Sequence, residues 1–278
     1  MSAIRSVSLR RIYDSRARET VEATITTVSG ATGVAGAPSG ESTGTHEVRA
    51  FPPGGVAAAL ERFRSLLKSR LEGIANDQAT VDGLLHQVDT TPDFSEIGGN
   101  VATALSVASA IAAARETGRP LWEQVRRPGV ESIRFPAIVG NCMNGGRHAI
   151  GGPDIQEFLA FAPGPKPEEA IRAAIAVHVE VGARLKKRFP KAALGRGDEG
   201  GWVAPLGNVE ALELLVEACD AVRDREHVPV HPGIDLAASE FYRDGQYRYR
   251  EQSVDAHGQV RFLSELVDKY GLRYVEDP

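Results

Sequence analysis

Four short segments of the chain carry acidic or imidazole side chains, and two of them also contain glycine, a composition that is typical of active-site loops. Carboxylates and histidine bind divalent cations and transfer protons near neutral pH, so these segments are the candidates for the protein's chemistry. The segments are Asn144-Gly-Gly-Arg-His148 with Gln156-Glu157 beginning eight residues later, Gly197-Asp-Glu-Gly-Gly201, Ile234-Asp235-Leu-Ala-Ala-Ser-Glu240, and Val275-Glu276-Asp277-Pro278.

Two of the acids, Asp235 and Glu276, each close a short apolar run that reads as a strand. In a parallel barrel the carboxyl ends of the strands converge on one face, where the active sites of that architecture lie. Converging carboxylates repel each other unless a cation or a proton compensates them, and ligation by oxygen alone suits Mg²⁺. The alternative is that either acid caps a helix or pairs with an arginine.

The other two segments are also open to an ordinary interpretation. Asp198 and Glu199 stand among glycines, which disfavour a helix and allow the backbone to approach a ligand closely. A plain turn is the alternative there. His148, which follows two glycines, is equally compatible with a surface or hydrogen-bonded histidine that has no catalytic role.

The composition narrows the class of protein. With 278 residues, 42% hydrophobic residues, 25% charged residues and a net charge of −5, the chain has the composition of a soluble globular protein. No apolar run approaches the roughly 20 residues of a membrane helix, and the N-terminus lacks the apolar core of a secretory signal. Cys142 and Cys219 are too few for a disulfide framework. We therefore expect a cytoplasmic protein that binds neither membrane nor nucleic acid.

The elements that must position the candidate residues change in pattern along the chain. Up to about residue 125, alternating apolar residues predict a hairpin with its turn at 14–19, and then a glycine-rich surface loop over 33–46. Apolar spacings of three and four predict helices over 56–71, 81–88 and 100–116, so that this part has an α+β pattern.

After the break at 126–129, strand-like and helical segments alternate, which favours a parallel sheet or barrel. The predicted helices cover 167–188, 208–224 and 259–270, and the predicted strands cover 158–161, 233–236 and 272–276. We therefore predict two domains, residues 1–128 and 129–278.

Together, the motifs resemble those of the enolase family, and they occur in the family's order along the whole chain. The matching segments are Tyr13-Asp-Ser-Arg16, Thr20-Val-Glu22, Pro38-Ser-Gly-Glu-Ser-Thr-Gly44, Asn144-Gly-Gly-Arg-His-Ala149, Gln156-Glu-Phe158, Gly197-Asp-Glu-Gly-Gly201, Asp235-Leu-Ala-Ala-Ser-Glu-Phe-Tyr242 and Glu276-Asp-Pro278.

The resemblance implies an α/β fold, with an enolase-like N-terminal α+β domain over 1–128 and the first part of a modified TIM-type α/β barrel over 129–278. It also implies a lyase of glycolysis and gluconeogenesis that dehydrates 2-phosphoglycerate to phosphoenolpyruvate. In this family a lysine removes the C2 proton, two Mg²⁺ ions stabilise the enolate, and a glutamate protonates the departing hydroxyl. Enolases are usually dimers or larger, so a homo-oligomer is expected.

The family's functional residues transfer to matching positions. Asp235 and Glu276 match two of the three carboxylates that hold the first Mg²⁺, and Ser42 matches the serine that reaches the second. Glu199 matches the general acid, and Glu157 matches the carboxylate that works beside it. His148 matches the histidine near the phosphate end of the substrate.

Gln156 matches a residue that lines the same pocket. The resemblance thus implies catalytic roles for Glu199, Glu157 and His148, and substrate binding by His148, Gln156 and Glu157.

The chain also departs from the family pattern. The segment Asp14-Ser-Arg-Ala-Arg-Glu-Thr20 differs from the usual Asp-Ser-Arg-Gly-Asn-Pro-Thr, and Asn141-Cys-Met-Asn144 differs mildly from the usual apolar version. Beyond the motif that ends at Pro278, the family continues with a third metal aspartate, the catalytic lysine, a Ser-His-Arg phosphate-binding segment and a second lysine. None of the six lysines here lies in a matching motif, so we expect the isolated chain to be an inactive fragment.

Several alternatives remain open from the sequence. The chain is either part of a longer product, or one half of a split enzyme that a second chain completes, or a degenerate homologue. Two other functions also compete with enolase activity, namely a noncatalytic binding or scaffold protein derived from the fold, and an enolase-superfamily dehydratase of another 2-hydroxy acid.

Overall fold

The computed structural model of the chain describes residues 1–38, 40, 44, 46–126, 129–149, 151–164 and 166–278. These residues divide into two compact units, Met1–Glu131 and Ser132–Pro278. Each unit encloses its own cluster of buried apolar side chains, so each has a core that its own sequence supplies. The division falls after residue 131, whereas the sequence pattern predicts a domain boundary after residue 128.

The first unit contains a three-stranded antiparallel sheet in the order β1 (Ile4–Tyr13), β2 (Glu19–Thr27), β3 (Thr32–Gly36). The alternating apolar residues of β1 and β2 are buried on one face, as the predicted hairpin requires. The helices of this unit are α1 (Gly55–Arg62), α2 (Lys68–Leu71), α3 (Gln78–Val88), α4 (Gly99–Thr117) and α5 (Leu121–Gln124), with a π-helical turn at Phe63–Leu67 between α1 and α2.

The prediction of a surface loop from residue 33 onward is wrong for its first part, because residues 32–36 form β3. The glycine that suggested a loop is required by packing. A Cβ atom on Gly33 would lie only 1.9 Å from the carbonyl oxygen of Ala108 in α4, so the strand approaches the helix backbone directly. The alanine-rich face of α4 supplies the matching small surface.

A buried aspartate closes the connection between α3 and α4. Asp89 is 1% exposed, and its carboxylate accepts hydrogen bonds from the backbone N–H groups of Glu96 at 2.9 Å, Ile97 at 2.8 Å and Thr91 at 3.0 Å. Burial tends to raise the pKa of Asp89, but these bonds and the Thr91 hydroxyl outweigh it, so that the pKa lies below its ordinary value of 3.8.

We predict that Asp89→Asn destabilises the first unit by about 1.5–3 kcal/mol at pH 7, because hydrogen bonds to a charged acceptor are lost. The folded-state pKa is lowered, so the contribution is complete above 3.8 and disappears as the pH falls toward the folded value. Urea unfolding at pH 7 and near pH 3 measures both effects, with Glu61→Gln, an exposed acid on α1, as the control. An equal loss of stability at the two pH values contradicts this account.

The second unit is built on a six-stranded sheet in the order β12-β8-β5-β4-β7-β6. Its strands are β4 (Ile138–Asn144), β5 (Glu157–Ala162), β6 (Gly195–Arg196), β7 (Trp202–Val203), β8 (His231–Asp235) and β12 (Tyr274–Glu276). A smaller sheet joins β9 (Tyr242–Arg243), β10 (Gln246–Arg248) and β11 (Ser253–Val254). The helices are α6 (Pro167–Arg188), α7 (Asn208–Glu226) and α8 (Ala256–Tyr270), with 3₁₀ turns at Gly146–His148 and Ala238–Glu240.

The three predicted helices of this unit are confirmed, and the predicted parallel pairing holds for part of the sheet. β5 runs antiparallel to both β4 and β8, whereas β8 and β12 are parallel. The link over 145–156 offers a physical reason for the antiparallel pairing of β4 and β5, since a 3₁₀ turn is the only helical element among its described residues. A parallel connection needs a crossover of a dozen or more residues, usually containing a helix that packs on the sheet. The described residues of this link form no such helix, which favours the antiparallel return.

The apolar faces of α6 and α7 pack on this sheet and form the second core. Cys142 and Cys219 belong to that core as free, buried thiols, and burial raises the pKa of both. None of the described helices is both long and apolar enough to cross a membrane.

Candidate active site

Three of the predicted acids lie in one row across neighbouring strands. Glu157 pairs with Asp235 across β5 and β8, and Asp235 pairs with Glu276 across β8 and β12. Asn144 extends the row on the other side, opposite Glu157. Asp235 and Glu276 end their strands, as predicted, but Glu157 begins its strand. Because β5 is antiparallel, its first residue lies at the same edge of the sheet as the last residues of β8 and β12.

Two loops bring His148 and Glu199 to this row. His148 ends the 3₁₀ turn after β4, and its side chain is only 2% exposed. Its Nε2 atom lies 3.7 Å from Glu157 Oε1 and 4.0 Å from Glu199 Oε1. Glu199 lies in the tight turn between β6 and β7, which the N–H of Gly197 closes by donating to the carbonyl of Gly201 at 2.8 Å.

The glycines of this turn are needed because it lies directly on the sheet. A Cβ atom on Gly197 would be 2.5 Å from Asn144 Oδ1, and one on Gly201 would be 2.4 Å from the same atom. Either contact is shorter than van der Waals distance, so a side chain at these positions would push the turn away from the row. The glycine-rich composition is thus a packing requirement that holds Glu199 close to Glu157.

Trp202 fixes the same turn to α6. Its indole N–H donates to the carbonyl of His178 at 3.0 Å, and the Arg196 guanidinium lies 4.7 Å from the ring centre. Gly182 of α6 leaves the room for the ring, since a Cβ atom there would lie 2.4 Å from it. The contact to the rest of the sheet is small, because β7 pairs with β4 only at Met143.

Three polar contacts at the site were not predicted from the sequence. Asn141 Nδ2 donates to Glu199 Oε2 at 3.3 Å, and the Tyr274 hydroxyl donates to Glu276 Oε2 at 2.7 Å. Asp198 Oδ1 lies 2.7 Å from His148 Nδ1. Strand alternation puts Asn141 and Asn144 on opposite faces, but a β-bulge between Asn141 and Met143 changes the register and brings both to the turn.

The neighbouring carboxylates affect the pKa of Glu157 and of Asp235. Burial raises the pKa of Glu157, and the hydrogen-bonded carboxylate of Glu199 and the charges of Asp235 and Glu276 raise it further. Burial also raises the pKa of Asp235, against the N–H of Ala237, which lowers it by donating a hydrogen bond at 3.0 Å. Glu157 and Asp235 therefore hold protons more strongly than free carboxylates do.

The residues of the row fit a divalent cation. Asp235 and Glu276 offer oxygen ligands at adjacent register positions, and the charge of Glu276 is among the influences that raise the pKa of Asp235. A bound cation relieves that repulsion, and oxygen donors are the ligands that hard cations such as Mg²⁺ prefer.

A second group that could hold a metal ion lies beside this pair. Ligand atoms of His148, Glu157 and Glu199 all lie within 4.8 Å of one another. These three are the predicted catalytic residues rather than the predicted metal ligands. Of the predicted ligands, Ser42 lies outside the described residues.

The structure thus brings together His148, Glu157, Glu199, Asp235 and Glu276. Gln156, predicted to line the substrate pocket, is 2% exposed, and its Oε1 atom has no hydrogen-bond partner among the described residues. The roles of all these residues stay predictions.

Comparison with known sequences identifies the family. The model for "Enolase, N-terminal domain" matches residues 4–125, and that for "Enolase, C-terminal TIM barrel domain" matches residues 132–278. The chain belongs to the enolase family. The second match, together with the mixed sheet, agrees with a modified α/β barrel of which this chain forms part.

Curated enolases from several archaea match the chain along its length. It is 42% identical to the enolase of Methanothermobacter thermautotrophicus over 284 aligned residues, which cover 100% of this chain and 68% of that protein. The enolase of Natronomonas pharaonis is 42% identical, with 100% and 69% covered, and that of Thermoplasma acidophilum is 38% identical, with 99% and 68% covered.

We predict that Gly201→Ala destabilises the second unit by about 1–3 kcal/mol, because the added methyl group meets Asn144 and Asn141 side-chain oxygens at 2.4 and 2.7 Å. Gly195→Ala, in β6 of the same hairpin, is the matched control, since nothing lies within 4 Å of its Cβ position. Urea unfolding of the two variants makes the comparison. Equal stability would show that the turn does not rest on Asn144.

Proposed function

We propose that the chain carries the metal-binding and acid-bearing part of an enolase site, which dehydrates 2-phosphoglycerate to phosphoenolpyruvate. The observation that carries the proposal is the row Glu157, Asp235 and Glu276 in direct register, with His148 and Glu199 placed against it by two loops. This arrangement offers two things that the dehydration needs, a site for cations and a proton for the departing hydroxyl.

Glu199 is the proposed general acid. A hydroxyl group is a poor leaving group until it takes up a proton, so an acid must hold that proton near neutral pH. The close approach of Glu199 to Glu157, and the raised pKa of Glu157, support a carboxyl pair that keeps a proton between them. Asn141 supports this role by donating to Glu199 Oε2, which leaves the other carboxylate oxygen, Oε1, on the side of His148.

Asp235 and Glu276 are the proposed Mg²⁺ ligands, with Ser42 proposed as the ligand of a second ion. When bound, Mg²⁺ supplies positive charge beside the substrate carboxylate, where the negative charge of the reaction develops. The Ala237 N–H and the Tyr274 hydroxyl orient the two carboxylates by donating to Asp235 and Glu276. These contacts support preformed positions for the ligand oxygens.

His148, Gln156 and Glu157 are the proposed substrate-binding residues, and His148 is also a proposed catalytic residue. The burial of His148 and Gln156 beneath the loops supports a site from which water is excluded. A cytoplasmic location is supported by the two free cysteines. The expected homo-oligomer stays a prediction from the family resemblance.

We predict that Mg²⁺ binds the 278-residue chain and raises its melting temperature, and that Asp235→Asn removes most of this shift. The reason is that a cation that binds only the folded chain stabilises it, and the variant loses a charged ligand. Asp224→Asn, which changes an exposed acid on α7, is the control for net charge. The ligand assignment is wrong if the Asp235 variant responds to Mg²⁺ as strongly as the control.

We also predict that the isolated chain forms no phosphoenolpyruvate, because none of its lysines lies in a family lysine motif. A chain extended by the part of the Methanothermobacter enolase that this chain does not cover is designed to supply that lysine. In the extended chain, Glu199→Gln should keep the Mg²⁺-induced shift and lose about 10²–10⁴-fold in dehydration rate. The absorbance of phosphoenolpyruvate measures turnover. Near-normal turnover of the variant excludes Glu199 as the acid.

A further inference from the structure

The Gly197–Gly201 turn contacts His148 through two consecutive residues. Asp198 Oδ1 lies 2.7 Å from Nδ1 of the ring, and Glu199 Oε1 lies 4.0 Å from Nε2. The backbone of a one-turn 3₁₀ helix places the Cα atom of His148 but leaves the rotation of its ring undetermined. The contact at Nδ1 therefore decides which way the other nitrogen points.

We infer that Asp198 is the positioning residue of this site, which holds the hydrogen of His148 on Nδ1 and thereby directs Nε2 at Glu157 and Glu199. The inference rests on the proposed function for its catalytic meaning, although the contact itself does not depend on it. The matched motifs assign no role to Asp198, because the neighbouring Glu199 is the residue that matches the general acid.

The chemistry of Asp198 and His148 determines which of the two donates the hydrogen bond. An aspartate carboxylate at neutral pH is an acceptor only, so the short contact requires that Nδ1 carries a hydrogen. In the neutral ring, Nε2 then carries no hydrogen and presents a lone pair. In the charged ring both nitrogens carry hydrogen, and Asp198 stabilises the positive charge. In both states Asp198 keeps Nε2 directed at the carboxyl pair.

Within the part of the chain that the structure describes, the other charged groups near the ring do not supply this orientation. Glu157 is 3.7 Å from Nε2 and Glu199 is 4.0 Å away, which is beyond hydrogen-bond distance for either. The charge of Asp235 also acts on His148, but as a longer-range attraction. The His148 ring is nearly buried, whereas Asp198 is 30% exposed. An otherwise buried ring is thus held by one strong, directional contact.

The test is nuclear magnetic resonance of the 278-residue chain labelled with ¹⁵N-histidine, in which His148→Gln identifies the His148 signals among the seven histidines. We expect a protonated Nδ1 whose hydrogen is strongly deshielded and exchanges slowly with water. In Asp198→Ala this hydrogen signal should disappear by exchange. In Asp198→Asn it should persist with less deshielding, because the amide oxygen still accepts. Asp224→Asn on α7 is the control for charge.

A wild-type ring without hydrogen on Nδ1, or a Nδ1 hydrogen that Asp198→Ala leaves unchanged, overturns the inference. The first of these outcomes needs no variant, so a variant that fails to fold does not remove the test. Because the measurement uses neither substrate nor Mg²⁺, its result is separate from that of the turnover assay. Failure of dehydration in the extended chain would reject the proposed function and leave the role of Asp198 in orienting His148 standing.

Discussion

The repulsion between like charges in one register row is the constraint on which the rest of the site depends. Glu157, Asp235 and Glu276 occupy directly paired positions on three neighbouring strands, so backbone hydrogen bonding itself forces them together. In a sheet, like charges at directly opposite positions are destabilising. The row forms despite this electrostatic repulsion, and the surrounding contacts reduce it. The Ala237 N–H donates a hydrogen bond to Asp235, and the Tyr274 hydroxyl donates one to Glu276. The His148 ring acts electrostatically to lower the pKa of Asp235.

The antiparallel direction of β5 makes the row possible. If β5 ran parallel to its neighbours, its first residue would lie at the opposite edge of the sheet, far from the ends of β8 and β12. The reversal therefore brings an acid from the start of a strand to two acids at strand ends. The link over 145–156, along which the chain reverses direction between β4 and β5, also carries His148. One feature of the chain thus supplies two of the site's groups.

Much of the fold follows from the sequence, because helices and alternating strands are local patterns. The apolar spacing over 167–188 and the alternation at Val7 and Leu9 need no distant partner to be interpreted. Three features depend on distant contacts and escape such reasoning. Gly33 suggests a loop because its contact with Ala108, a residue distant in sequence, cannot be seen in the local pattern. The residues of β5 do not indicate whether the strand runs parallel or antiparallel to its neighbours, and the residue spacing does not predict the β-bulge after Asn141.

In the candidate site, too, local sequence patterns predict some features, whereas others depend on residues that are distant in sequence. Its acids were predicted because carboxylates at strand ends and in glycine-rich turns are recognisable, and the motif resemblance supported each of them. The contacts of Asn141 and Tyr274 were not predicted, because both residues are ordinary parts of strands whose function depends on which side chain faces them.

Strand pairing and side-chain contacts hold different parts of the candidate site. Asp235 and Glu276 belong to strands that pair over several residues, so their spacing changes only if the sheet deforms. Glu199 lies in the turn of a short hairpin that pairs with β4 at Met143 and contacts α6 through the Trp202 indole and through His178, whose Nε2 lies 3.0 Å from the carbonyl oxygen of Gly200. The proposed metal ligands therefore depend on continuous strand pairing, whereas the position of the proposed acid depends on a few side-chain contacts.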